Sequence, residues 1–213
     1  MNLLVLGATG PTGRRLVGRA LDEGHHVTAL VRSPEKLPRP GDRLTVLVGD
    51  VIDEQEIASA AVSQDAVLST MGSGKSLTSD IVGRTVDALI PAMHEAGVDR
   101  LIFLSAFGVN ETYSQASWQQ RFLYRTMLRK IYPDKGQADR KLLASGLDVT
   151  LVYPVTLTNK PFTGTYRVGD HVDIKGLPSI SRADVAHFML TQLTDATWSR
   201  RTAILTNQSS HRG

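Results

Sequence analysis

Short apolar runs alternate with stretches of helical periodicity along most of the chain. Residues 3–6, 27–31, 44–48, 66–70, 101–104 and 149–152 are aliphatic, rich in Val, Leu and Ile, and only four or five residues long. Such runs read as strands buried on both faces. Between them, apolar positions spaced three and four apart predict helices over about 11–23, 53–61 and 79–96. A longer helical region covers about 117–144, broken near Pro133. There is no internal repeat and no linker. Regular strand–helix alternation of this kind predicts an α/β fold: one domain over residues 1–213, a doubly wound parallel sheet of Rossmann type with helices on both faces.

The last third leaves that rhythm. Residues 163–172 (TGTYRVGDHV) read as a hairpin or loop pair, and 181–193 as a helix that starts at Ser181 or Arg182 with Asp184 in its first turn. Residues 202–206 are the last strand expected. A small C-terminal region therefore shapes the substrate side, with segments 106–134 and 154–181 as its main parts.

The glycines of Gly7-Ala8-Thr9-Gly10-Pro11-Thr12-Gly13 recur every third residue, directly after the first strand and at the opening of the first helix. That context makes the pattern a dinucleotide-binding turn. Gly7 permits the tight turn, Gly10 lets the backbone approach a diphosphate, and Gly13 lets the helix pack close to the sheet. Pro11 suits a first helical turn, where a missing N–H costs little. Thr9 and Thr12 add hydroxyls beside the helix N-terminus that would hold the anion.

NAD-preferring sites place an acid about 20 residues further on, against the ribose 2′-hydroxyl. Here the second strand runs into Arg32-Ser33-Pro34-Glu35-Lys36. A guanidinium at Arg32 can fork onto a 2′-phosphate, and Lys36 adds a second charge, so the expected cofactor is NADP(H). Asp50, after the third strand, either accepts from the adenine amino group, with the Val51 backbone against the ring, or serves as a helix cap or loop residue. Thr70, Met71 and Gly72 follow the fourth strand, where backbone would pass beneath the nicotinamide ribose.

Composition narrows the classes. The chain has no cysteine, which removes disulfides, thiolate metal sites and cysteine nucleophiles. Its six histidines are scattered, with no cluster of acids beside them, so no metal is expected. The start MNLLVLGATG lacks a signal-peptide pattern, and no apolar run approaches the roughly 18 residues of a membrane span, so a cytoplasmic protein is expected. The net charge of +3 suits a polyanionic small ligand better than nucleic acid, for which no basic tract is present.

The motifs GATGPTG and LVRSPEKL, with Val48-Gly49-Asp50 and Leu104-Ser105-Ala106-Phe107, resemble the atypical short-chain dehydrogenases. The resemblance is strongest to the biliverdin reductase B / flavin reductase group and its NAD(P)H-binding, NmrA-like relatives. Ser145-Gly146-Leu147, the PFTG run from Pro161 and the run from Ser181 to Leu190 extend it over nearly the whole chain. It implies a reductase that passes hydride from NADPH to a planar conjugated small molecule such as a flavin, a quinone or a linear tetrapyrrole. It places Ser105 beside the nicotinamide, with Pro154 and Val155 bordering the cofactor. Thr156 stands where the group's reductase carries a histidine, which speaks against the tetrapyrrole, since a threonine is no cationic proton donor. The main branch's Tyr-x-x-x-Lys pair is missing: Tyr132 and Lys135 have the wrong spacing, and Pro133 is expected to interrupt the turn. Protons would then come from solvent or from the acceptor itself. An NADP-binding redox sensor that reports to a protein partner is the alternative, and a sugar-nucleotide-type epimerase the third.

Other signals carry less. Met71-Gly72-Ser73-Gly74-Lys75-Ser76 fails as a phosphate loop, because Ser69 stands where its first glycine belongs. Arg121, Arg125 and Arg129 share one helix face and read as a solvated stripe, and Trp118 and Phe122 as core or lid packing.

Overall fold

The computed structural model describes residues 1–37, 41–72, 80–110, 112, 131–172 and 178–207, with the backbone alone at 131–133. Six strands follow the expected runs: β1 (Asn2–Leu6), β2 (His26–Val31), β3 (Leu44–Val48), β4 (Ala66–Ser69), β5 (Arg100–Leu104) and β6 (Asp148–Pro154). Four more lie beyond Pro154: β7 (Thr156–Thr158), β8 (Tyr166–Gly169), β9 (Ser179–Ser181) and β10 (Arg201–Asn207). The helices are α1 (Pro11–Asp22), α2 (Glu54–Ala61), α3 (Ile81–Ala96), α4 (Ile131–Ala144) and α5 (Arg182–Thr191).

Eight strands form one sheet in the order β3-β2-β1-β4-β5-β6-β10-β8. Every pairing in it is parallel except the edge pair β10–β8. In the centre of the sheet the apolar runs are continuous because both faces are covered: Leu3, Leu4, Val5 and Leu6 of β1 are all fully buried. The 44–48 run departs from that expectation: β3 is an edge strand, and its Leu47 and Val48 are exposed. α1 packs with α5 in one layer, while α2, α3 and α4 pack in series in the other. α3 shows why these segments are helical. It buries Val82, Val86, Leu89 and Met93 along one stripe and ends at Gly97, whose φ of +68° suits a left-handed cap. Chain direction across the sheet reverses between β1 and β4, so their carboxyl ends form the switch point where open α/β sheets take ligands.

Residues 163–172 do not form a hairpin. β8 pairs antiparallel with β10, Val168 opposite Leu205, some 37 positions away in sequence; local periodicity shows a strand but not its partner. β7 and β9 form a separate two-stranded parallel sheet that three-residue runs could not announce. Pro133 lies inside α4, which is described from Ile131 onward; the part of the expected 117–144 helical region before it lies outside the described residues. Ser181 does start α5, its Oγ accepting from the Asp184 N–H at 2.9 Å. The 73–76 run, Trp118, Phe122 and the arginines at 121, 125 and 129 lie outside the described residues. Among the described residues no helix is long and apolar enough to cross a membrane.

Candidate dinucleotide site

The chain leaves β1 through a turn built around missing side chains. Gly7 has φ +77°, and a Cβ there would stand 2.9 Å from the Thr70 carbonyl carbon. A Cβ at Gly13 would come within 2.8 Å of the Ala8 Cα and nearer still to the Gly7 carbonyl oxygen. A Cβ at Gly10 would sit 3.2 Å from that same oxygen, which already accepts from the Gly10 N–H at 3.0 Å. The three glycines thus let β1, the loop and α1 close on one another. Thr70 ties in β4: its Oγ1 lies 3.1 Å from the Gly7 carbonyl oxygen, to which it donates.

α1 opens at Gly10 with no side chain capping it and no acid in its first turn. Its leading amides are left to a ligand, and the helix dipole favours an anion there. Pro11 is exposed, while Thr12 and Gly13 are buried in the first turn and Thr9 is half-buried. Arg14, which sequence patterning did not single out, folds back so that its Nη1 donates to the Thr9 carbonyl at 2.6 Å. This adds a cation to the loop. Arg32 is the first residue past β2 and is exposed, as is Lys36 at the end of a short 3-10 turn, Pro34–Lys36.

Asp50 is not a helix cap. Asp53 caps α2, accepting from the Glu56 N–H at 3.0 Å, while the Asp50 carboxylate accepts from the Ile52 N–H at 3.3 Å. The Asp50 N–H donates to Glu56 Oε2 at 2.6 Å, so α2 holds this corner through a carboxylate that the sequence pattern did not mark. Val51 is buried beside it. Met71 is half-buried and Gly72 exposed.

Ser105 follows β5 and is buried, its N–H donating to the Val152 carbonyl at 2.9 Å. Its Oγ donates to Asp139 Oδ2 on α4 at 2.7 Å. Tyr153 of β6 donates its hydroxyl to the same oxygen at 2.6 Å. Lys135, one turn before Asp139, is also buried. Burial pushes the Asp139 carboxyl above the ordinary range despite its hydroxyl donors and the Lys135 and Arg140 charges. Burial likewise lowers the Lys135 ammonium, against the pull of Asp139 and Asp134, and raises the Tyr153 phenol, helped by the Asp139 charge. This cluster was missed in the sequence. Its signal was there: Lys135 and Asp139 share a helix face with Ala138 and Leu142, two charged residues inside an apolar stripe.

Thr156 is exposed at the start of β7, paired with Ser179 across the small sheet. Pro154 and Val155 are buried, the Pro154 carbonyl accepting from Phe107 N–H and the Val155 N–H donating to the Leu205 carbonyl. The PFTG run lies against α1 and α5. Thr163 and Gly164 donate their N–H groups to Asp184, at 2.9 and 3.0 Å, and Phe162 stacks under Arg19.

A family model described as NAD(P)H-binding matches residues 7–196. A curated relative from Bacillus subtilis (strain 168), an uncharacterized sugar epimerase named YhfK, is 33% identical over 216 residues, covering 97% of this chain and 94% of its own. Among solved structures, the anaerobilin reductase ChuY of Escherichia coli O157:H7 superposes with a TM-score of 0.80 at 23% identity, covering 98% of both chains. A short-chain dehydrogenase/reductase of Veillonella parvula in complex with NADP superposes with a TM-score of 0.83 at 19% identity, over 99% of this chain and 96% of that one. At these identities the two structures speak for the fold.

Proposed function

The chain belongs to the NAD(P)H-binding family, and from that premise we propose that it is an NADPH-dependent reductase whose acceptor is a planar conjugated molecule such as a flavin or a quinone. One observation carries the reading: an uncapped helix start, free of acids and closed by three glycines, at the switch point of the sheet, with Arg32 directly after β2. The residues fit the cofactor on this geometry. The α1 amides at Thr12 and Gly13 would take the diphosphate, with Gly7, Thr9, Gly10 and Pro11 shaping the turn. Arg32 and Lys36 would take the 2′-phosphate. Asp50 and Val51 would border the adenine, and Thr70, Met71, Gly72, Pro154 and Val155 the nicotinamide half. Ser105 would lie beside the nicotinamide and Thr156 on the acceptor side.

When bound, the nicotinamide supplies the hydride; the chain supplies grip, orientation and a protected site. No tyrosine stands one helical turn before Lys135, the position being Ile131. This disfavours the epimerase chemistry in the name of the Bacillus subtilis relative, which needs a proton-transfer pair. The test is NADPH consumption by the purified chain with a panel of flavins and quinones. Turnover with one of them is expected. Tight NADPH binding with no turnover on any acceptor would instead favour a redox sensor acting on a protein partner.

A further inference from the structure

Gripping a dinucleotide gives no reason to bury a carboxyl group behind Ser105, yet Asp139 has 0% of its surface exposed. Its Oδ2 bridges two hydroxyls, Ser105 Oγ at 2.7 Å and Tyr153 OH at 2.6 Å. Its Oδ1 is buried with no hydrogen-bond partner among the described residues. A charged carboxylate would leave that oxygen's lone pairs bare in a medium of low dielectric, whereas a neutral acid loses far less. Either hydroxyl can donate or accept, so a proton on Oδ2 can be handed to Ser105 while Tyr153 continues to donate. Tyr153 also lines a cavity of about 650 Å³ together with Asn110 and Arg140. The carboxyl therefore stands between a buried serine at the end of β5 and a space large enough for water.

We infer that Asp139 is a positioning residue that keeps a proton in store behind Ser105. This rests on the hydride-transfer reading above. As hydride reaches the acceptor from NADPH, the Ser105 O–H bond breaks and an N–H or O–H bond forms on the acceptor. The Asp139 O–H bond breaks as the serine hydroxyl re-forms. Tyr153 then passes a proton inward from water in the cavity and restores the acid. The acceptor gains a hydride from NADPH and one proton from Ser105, NADPH is oxidised to NADP⁺, and no other redox partner is required.

Among the described residues, charged and hydroxyl groups act on Asp139 from three elements. Lys135 and Arg140 lie on its own helix, Tyr153 on β6 and Ser105 after β5. Asp80, just before α3, and Asp87 on α3 act on Asp134, and Asp87 pairs with Lys141. Burial outweighs the two cations and holds the carboxyl above the ordinary range.

The test combines pH-dependent kinetics with infrared spectroscopy on the full chain, flavin mononucleotide and a naphthoquinone serving as acceptors. In the unmodified protein kcat should fall on the alkaline side as Asp139 loses its proton. Asp139→Asn should lower kcat about 10-fold or more and remove that limb, with KM for NADPH little changed. Asp139→Glu should restore the limb. Tyr153→Phe, which keeps the acid but cuts its supply, should lower kcat and leave NADPH binding intact. The stored proton has its own signature, the carbonyl stretch of a protonated carboxylic acid at neutral pH, assigned by isotope-labelled aspartate in the unmodified chain. Absence of that band, or an alkaline limb that persists in Asp139→Asn, overturns the inference and leaves the reductase reading standing. Absence of turnover with every acceptor overturns the reductase reading and the relay with it, and the band still decides whether Asp139 holds a proton.

Discussion

Gly13 on α1 and Gly7 at the end of β1 are packed backbone to backbone: a Cβ at position 13 would press on the Gly7 carbonyl oxygen and stand 2.8 Å from the Ala8 Cα. Neither obstacle is a side chain that can swing aside. Gly13→Ala should therefore cost about 2–3 kcal/mol by overpacking and abolish NADPH binding by opening the turn. Gly18, one face away on the same helix, meets nothing within 4 Å of a Cβ. Gly18→Ala should stabilise by about 0.5–1 kcal/mol and leave binding unchanged. Urea midpoints and calorimetric titration on the two variants check both halves.

Arg32 is exposed immediately after β2. Loss of a charge-assisted bond to a phosphate is worth about 1.5–3 kcal/mol, or roughly 10- to 150-fold in affinity. Arg32→Asp should weaken NADPH by that order and NADH far less. Equal weakening of the two in isothermal calorimetry would place the 2′-phosphate elsewhere.

Asp184 accepts from the Ser181 hydroxyl, from the Thr163 N–H and hydroxyl and from the Gly164 N–H. Burial works against the charge, but these donors prevail and hold the carboxyl below the usual range. A depressed folded value means that the contribution is complete above the unfolded pKa of about 3.9 and is lost as pH falls through the folded value. Asp184→Asn should lower stability at pH 7 by about 1–3 kcal/mol and flatten its decline below pH 4. Urea titrations across pH 7 to 2.5 read both.

His187 titrates in the opposite region. Burial first, then the Arg19 charge, holds its imidazole below the ordinary value, with Nδ1 2.7 Å from the Tyr166 hydroxyl. Its unfolded form takes up a proton at higher pH than its folded form. Stability from this site is thus complete above about pH 6.5 and falls as pH drops toward the folded value. His187→Gln should lose Tm less steeply than the unmodified chain between pH 7.5 and 5.5, as calorimetric scans would show.

The features legible in the chain itself are local. Aliphatic runs marked β1 to β6; in β1, β4, β5 and β6 they are continuous because both faces are covered, while β3 at the sheet edge leaves Leu47 and Val48 exposed. Gly7, Gly10 and Gly13 marked the turn, because only absent side chains permit that approach, and Ser181 with Asp184 marked a helix start three residues apart. Tertiary structure alone decided the rest. Nothing local tells β8 to pair with β10, or β7 with β9, since pairing depends on which edge is left open once the sheet has assembled. Ser105 and Asp139 are 34 positions apart and Asp139 and Tyr153 are 14 apart. Spacing along a strand or helix settles which face a side chain takes, and only the packing of α4 on the sheet brings three such faces to one buried oxygen.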